Sequence, residues 1–244
     1  MKIDNSPDCL NEKTILITGA SDGIGRAVAL DCAGHGATVI LLGKTQKKLE
    51  LLYDEIENYG YPEAIIHPLD FEKASPLDFQ VLHDGIESQF GHLDGLINNA
   101  AWLGASTPVE HYDIELWYRV MQINLNAPFM MTKACLPLLT KAEQAAIVFT
   151  LDNKENAYWG AYGASKSGLE ALMKIIADEN EDKRLNVTGF DPGAVHTSFR
   201  TRAFPAEDNP HLSEPSDISP YFTYLVDANN TVDNGAIYTL KDFE

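Results

Sequence analysis

The sequence predicts an α/β fold, a Rossmann-type doubly wound parallel sheet of about seven strands with helices on both faces. Three observations predict it. Short apolar runs recur along the 244 residues, amphipathic stretches of helix length separate them, and a glycine-rich turn follows the first run. Continuous apolar runs belong to strands buried on both faces, as parallel strands are. With 45% apolar residues and no linker, repeat or low-complexity segment, residues 1–244 read as a single domain with one continuous core.

The elements follow in order. The first strand, TILIT, ends at Thr18, and Gly19, Gly23 and Gly25 precede a helix. Glycine allows a tight turn and close approach of a ligand, while the free amides and dipole of a helix start attract phosphate. This reads as a dinucleotide-binding turn, with Gly-x-x-x-Gly-x-Gly spacing in place of the commoner Gly-x-Gly-x-x-Gly. A turn that only packs a helix on a strand would use the same glycines. The second strand, ATVILL, leads to Gly43 and Lys44, the third, AIIHPL, to Asp70, and the fourth, GLIN, to Asn98 and Ala100. The fifth, AAIVFTL, precedes a helix beginning near YGASK, whose Tyr162 and Lys166 are four residues apart and so share a face. RLNVTGF and GAIYTL supply the sixth and seventh strands.

A formal charge of −18 repels phosphate backbones and anionic lipid, which argues against nucleic-acid and membrane-surface roles. Cys9, Cys32 and Cys135 lack metal-ligand spacing, and their odd number argues for free thiols. No apolar stretch precedes the first acidic residues and no run reaches membrane-spanning length, so a cytoplasmic location is expected and no metal is.

Four motifs, TGASDGIG, NNAA, YGASK and PGAVHT, stand in the order seen in short-chain dehydrogenases/reductases. The chain resembles that family over nearly its whole length, and ATVILLG, WGAYGASK and AFPAED resemble its YciK-like bacterial branch. The resemblance implies a Rossmann-type fold, a nicotinamide cofactor and a small carbonyl or alcohol substrate. It implies that Gly19, Ser21, Gly23, Ile24 and Gly25 hold pyrophosphate and ribose, and that Asp70 contacts the adenine amino group. Asp70 could equally cap a helix or turn. Asn98 and Ala100 would flank the cofactor, with Pro192, Gly193 and Thr197 on its nicotinamide side. Where the family has Asn-Asn-Ala-Gly, this chain ends in Ala101, one methyl group larger.

An acidic residue after the second strand would hold both adenosine-ribose hydroxyls and repel a 2′-phosphate. Gly43 and Lys44 stand there, which favours NADP(H) over NAD(H). Lys47 and Lys48 could assist, and Asp22 opposes.

A free tyrosine, with a pKa of about 10, exchanges protons poorly near neutrality, and a neighbouring ammonium lowers that value. By resemblance Tyr162 is the proton donor or acceptor, Lys166 its activator and ribose ligand, and Asn124 the holder of a relay water. The family's catalytic serine is missing. Counting back thirteen residues from Tyr162 gives Phe149, whereas counting along the strand gives Asp152. Thr150 or a protonated Asp152 could replace it, or Thr150 packs and Asp152 caps a turn.

The expected function is an NADP(H)-dependent oxidoreductase of small carbonyl or alcohol compounds. The alternative is a catalytically impaired cofactor-binding protein acting through partners or as a redox-ratio sensor. Trp102, Leu103 and Trp159 suggest an apolar pocket with Arg200 or Arg202 near its rim. Apolar excess in LWYRVMQINLNAPFMMTKACLPLL and YGASKSGLEALMKIIADE suggests a homo-oligomer, and the resemblance implies that these helices pair across a twofold axis in a homodimer or homotetramer.

Overall fold

Each of the seven apolar runs forms a strand: β1 Thr14–Thr18, β2 Thr38–Gly43, β3 Ile65–Pro68, β4 Gly95–Asn98, β5 Ala145–Thr150, β6 Leu185–Asp191 and β7 Ile237–Thr239. The computed structural model describes Ile3, residues 5–180 and residues 184–243. The strands make one sheet in the order β3-β2-β1-β4-β5-β6-β7, every neighbouring pair parallel. Every residue of β1, β4 and β5 is buried, as a sheet covered on both faces requires, whereas the edge strands β3 and β7 are only partly buried.

Among the described residues eight α-helices connect and cover the strands: α1 Gly23–Gly34, α2 Gln46–Asn58, α3 Pro76–Phe90, α4 Ile114–Met121, α5 Ala127–Leu139, α6 Gly160–Glu179, α7 Ser198–Ala203 and α8 Pro215–Val226. Alternate residues of a strand face opposite sides, so β1 divides its side chains between two cores. Ile15 and Ile17 join Val28 of α1 and Phe222 of α8, while Leu16 joins Phe79 of α3, Met131 of α5 and Met173 of α6.

Strand order reverses between β1 and β4, and loops leaving their carboxyl ends part there to leave a crevice. A single π-turn, Gln122–Asn126, joins α4 to α5 and carries Asn124. The three cysteines are free. Burial pushes the Cys135 thiol up to about 12 and the Cys9 thiol up to about 11, so neither is a ready nucleophile at neutral pH.

Candidate active site

The crevice at the β1–β4 switch is a cleft of about 500 Å³. Its phosphate end is the β1–α1 turn. Gly19 has φ +71°, and a Cβ on Gly25 would lie 2.3 Å from the Gly19 carbonyl oxygen, so only glycine lets α1 begin so close to the turn. Asp22 caps α1 by accepting from the Gly23 amide at 2.8 Å. Thr18 ties this turn to the loop after β4: its hydroxyl accepts from the amides of Asn99 (2.9 Å) and Ala100 (3.1 Å).

At the adenosine end Lys44 Nζ lies 3.0 Å from Asp70 and 3.6 Å from Glu72, contacts that raise the lysine pKa through Asp70 first. Asp70 also accepts from the Glu72 amide at 3.2 Å, so it is both a turn residue and a wall of the cleft. Asp22 carries a partner the sequence did not pair with it. Lys48 Nζ is 2.7 Å from its Oδ2, and this bond holds the Asp22 carboxyl below its ordinary value. The opposition expected from Asp22 toward a 2′-phosphate is thereby offset.

The chemical end lies where β5 meets α6. Tyr162 and Lys166 are one helical turn apart and both buried. Tyr162 Oη donates to Asp152 Oδ2 at 2.9 Å, and Lys154 Nζ donates to the other Asp152 oxygen at 2.5 Å. Lys166 Nζ donates to the Thr150 carbonyl at 2.8 Å. Burial, reinforced by the Asp152 charge and hydrogen bond, pushes the Tyr162 phenol well above its ordinary value. Burial also lowers Lys166 to about 8, against an upward pull from Asp152 and Asp191. The connection from β5 to α6 crosses the helix start closely. A Cβ on Gly163 would lie 2.2 Å from the Lys154 carbonyl oxygen, and Tyr158 adopts φ +75° to make the turn.

These features, a glycine turn at a sheet switch point and a buried Tyr-x-x-x-Lys beneath it, agree with what comparison finds. The short chain dehydrogenase family profile matches residues 13–208. The chain belongs to the short-chain dehydrogenase family of oxidoreductases. Over 224 residues it is 42% identical to the uncharacterized oxidoreductase YciK of Escherichia coli, covering 90% of this chain and 88% of that one. A Pseudomonas syringae structure assigned as a short-chain dehydrogenase superposes with a TM-score of 0.94 at 40% identity, covering 98% of each chain. A Shigella flexneri structure with the same assignment, complexed with NADP, superposes with a TM-score of 0.93 at 38% identity, covering 97% of this chain and 100% of that one.

In this short-chain dehydrogenase Gly19, Ser21, Gly23, Ile24, Lys44, Asp70, Ala100, Thr150, Asp152, Tyr162, Lys166, Pro192, Gly193 and Thr197 all line the cleft. Gly25 underlies the turn. Two asparagines bond to the fold around the cleft. Asn98 is not among the cleft residues: it is buried and donates to Thr132 Oγ1 of α5 at 3.1 Å, because the last residue of a strand alternates toward the helix layer. Its neighbour Asn99, which the sequence did not single out, lines the cleft in its place. The Asn124 side chain accepts from the Trp102 amide (2.8 Å) and donates to the Trp102 carbonyl (2.9 Å) and to Ser165 Oγ (3.1 Å). It therefore braces the cleft wall against α6. The Thr150 hydroxyl donates to Asn99 Oδ1 at 3.3 Å, so Asp152 is the side chain that meets Tyr162. Sequence reasoning also passed over Lys154 and Asp191. The only local signal for Asp191 was its place before Pro192, immediately ahead of the PGAVHT motif.

Proposed function

We propose that this chain is an NADP(H)-dependent reductase of small carbonyl compounds, with Tyr162 as proton donor and Asp152 at the position of the family's serine. The carrying observation is the buried Tyr162 hydroxyl, 2.9 Å from Asp152 and one turn from a buried Lys166. The glycine cradle fits a dinucleotide, since added Cβ atoms would fill the space beside the backbone. Lys44 and Lys48 at the adenosine end, and the NADP in the Shigella flexneri relative, support the phosphorylated cofactor over NAD(H). When bound, the nicotinamide would supply the hydride.

The chain's own groups handle the proton. A phenol held above its usual range stays protonated at neutral pH, ready to donate rather than accept a proton. Tyr162 thus favours giving its proton to a developing alkoxide over removing one from an alcohol, and reduction is the expected direction. A substrate oxygen must replace Asp152 as acceptor of the Tyr162 hydroxyl. Lys154, bound to the opposite oxygen of Asp152, can hold the carboxylate as it is displaced. Lys166 supplies the positive charge beneath the phenol, and Asn124 braces the wall that faces it. Exposed Tyr118, Phe129 and Ile175 on α4, α5 and α6 support a homodimer or homotetramer.

A second reading, a cofactor-binding protein that has lost turnover, has one observation in its favour. An ion-paired Asp152 accepts the very proton that Tyr162 would give to substrate. The two readings separate by titrating the protein with NADPH and NADH, following nicotinamide fluorescence, then adding a panel of carbonyl compounds. NADPH oxidation abolished by Tyr162→Phe is the expected result. Oxidation that this variant retains in full refutes Tyr162 as donor, and tight binding with no oxidation favours the second reading.

A further inference from the structure

Asp152 divides its two oxygens between two donors that both line the cleft, Tyr162 Oη at Oδ2 and Lys154 Nζ at Oδ1. Among the described residues no other side chain donates to Oδ2. Reduction therefore disturbs this carboxylate as it would not disturb a serine. When a substrate carbonyl takes over the Tyr162 hydroxyl, Oδ2 loses its one partner, and a partly buried charge left short of a hydrogen bond costs free energy. A serine could turn its own hydroxyl toward the carbonyl oxygen. An ionised carboxylate has no proton to offer and opposes the negative charge that develops there.

A substrate that brings its own donor removes both costs. In an α-hydroxy aldehyde or ketone the carbonyl and hydroxyl oxygens stand side by side, about a hydrogen-bond length apart when the two C–O bonds are eclipsed. The Tyr162 and Asp152 oxygens are 2.9 Å apart, so the two pairs match edge to edge. The carbonyl oxygen accepts from Tyr162 while the substrate hydroxyl donates to Asp152 Oδ2, and neither side chain has to move. The carboxylate then faces a donor and stays off the carbonyl oxygen. A neutral donor suits this place better than an ammonium, because Lys154 already answers the Asp152 charge and Lys166 lies one helical turn from Tyr162. Around the pair the surface is apolar: the Phe199 ring lies 5.3 Å and the Trp159 ring 5.6 Å from that of Tyr162.

We propose that the cleft recognises a carbonyl compound with an apolar body and a hydroxyl on the carbon next to the carbonyl, and that Asp152 is the residue that selects this hydroxyl. The proposal rests on the reductase reading above and names its substrate class. The carbonyl carbon gains the hydride that reduced nicotinamide supplies, its π pair passes to the oxygen, and the oxygen takes the Tyr162 proton. The product is a vicinal diol, the nicotinamide is left oxidised, and the substrate hydroxyl keeps its own proton on Asp152 throughout. A carbonyl compound with only acceptors beside its carbonyl sets a lone pair against the carboxylate and is turned away.

The test compares α-hydroxyacetophenone, acetophenone and α-methoxyacetophenone, which share a phenyl ketone and differ only in what the neighbouring carbon carries. Binding to the unaltered protein is measured by calorimetry with NADP+ present, so that no hydride is available, and turnover is followed separately with NADPH. The hydroxy ketone is expected to bind at least about tenfold more tightly than either of the others, equivalent to roughly 1.4 kcal/mol. Asp152→Asn, whose amide donates as well as accepts, should let the methoxy ketone approach the hydroxy ketone, and Asp152→Ala should bring all three toward parity. Equal binding of the hydroxy and methoxy ketones by unaltered protein overturns the inference whether or not the variants fold. So does a preference for the hydroxy ketone that survives Asp152→Ala undiminished, or binding of none of the three. Reduction of acetophenone as readily as the hydroxy ketone overturns it too while leaving the reductase reading intact. Preferential binding of the hydroxy ketone without any turnover sustains the inference and sinks the reductase reading instead.

Discussion

Replacing Asp152 by serine removes the carboxylate that accepts the Tyr162 hydroxyl at 2.9 Å and restores the residue type of the family. Two causes that raise the Tyr162 pKa, the Asp152 charge and its hydrogen bond, vanish together, while burial, the largest cause, stays. A neighbouring charge moves a pKa by about 1 to 3 units, equivalent to roughly 1.4 to 4 kcal/mol between the two protonation states. The Tyr162 midpoint in Asp152→Ser should therefore fall, while burial keeps it above that of a free phenol. The assay is a tyrosinate absorbance titration of Asp152→Ser minus Asp152→Ser/Tyr162→Phe, set beside wild type minus Tyr162→Phe. The double difference isolates one tyrosine among the chain's ten. Carbonyl reduction at neutral pH should rise, because a hydroxyl can donate to the developing oxyanion where an ionised carboxylate opposes it. Donors to an oxyanion are worth on the order of 100-fold to 1,000-fold in rate. An unchanged Tyr162 midpoint refutes the placement of Asp152 against the phenol, and Asp152→Asn, which keeps the shape without the charge, guards against a packing artefact.

Further outcomes follow from the same geometry. Lys44→Ala should weaken NADPH binding more than NADH binding by roughly 1 to 3 kcal/mol, the range of a charge-assisted contact, read as the ratio of dissociation constants in fluorescence titration. Gly25→Ala should abolish nucleotide binding and lower thermal stability, since its Cβ would meet a backbone oxygen 2.3 Å away; retained NADPH affinity would contradict the cradle. Lys166 has a folded pKa of about 8 against an ordinary 10.5, so the unfolded chain holds more protons between those values. Its charge therefore costs stability in full below about pH 8, and this cost is relieved as pH rises toward 10.5, with the whole span worth up to about 3 kcal/mol. Lys166→Met should flatten that part of the stability-pH curve in chemical denaturation while eliminating turnover. Reduction by the unaltered protein should decline as pH rises through about 8, where Lys166 loses the charge beneath Tyr162.

The seven strands were legible because burial on both faces leaves a local mark, an unbroken apolar run, and every such run became a strand. The β1–α1 glycines were legible for a similar reason. A backbone that must turn with positive φ at Gly19 and admit a helix at Gly25 demands glycine at those places whatever surrounds them. Helix period put Tyr162 and Lys166 on one face, and the order of the four motifs gave the pair its role. What the sequence left open lies in loops, which have no period. Counting toward the missing serine produced Phe149 or Asp152, depending on where the shortened β5–α6 connection lost its residues. Only the path of that loop over Gly163 brings Asp152 to the phenol and leaves Thr150 holding Asn99. Likewise Asn98 and Asn99 are adjacent in sequence but face opposite layers, Lys48 neutralises Asp22 from α2, and Phe199 of α7 meets the Tyr162 ring. Such pairings depend on distances between separate segments at the sheet's carboxyl edge, and tertiary packing alone sets those distances.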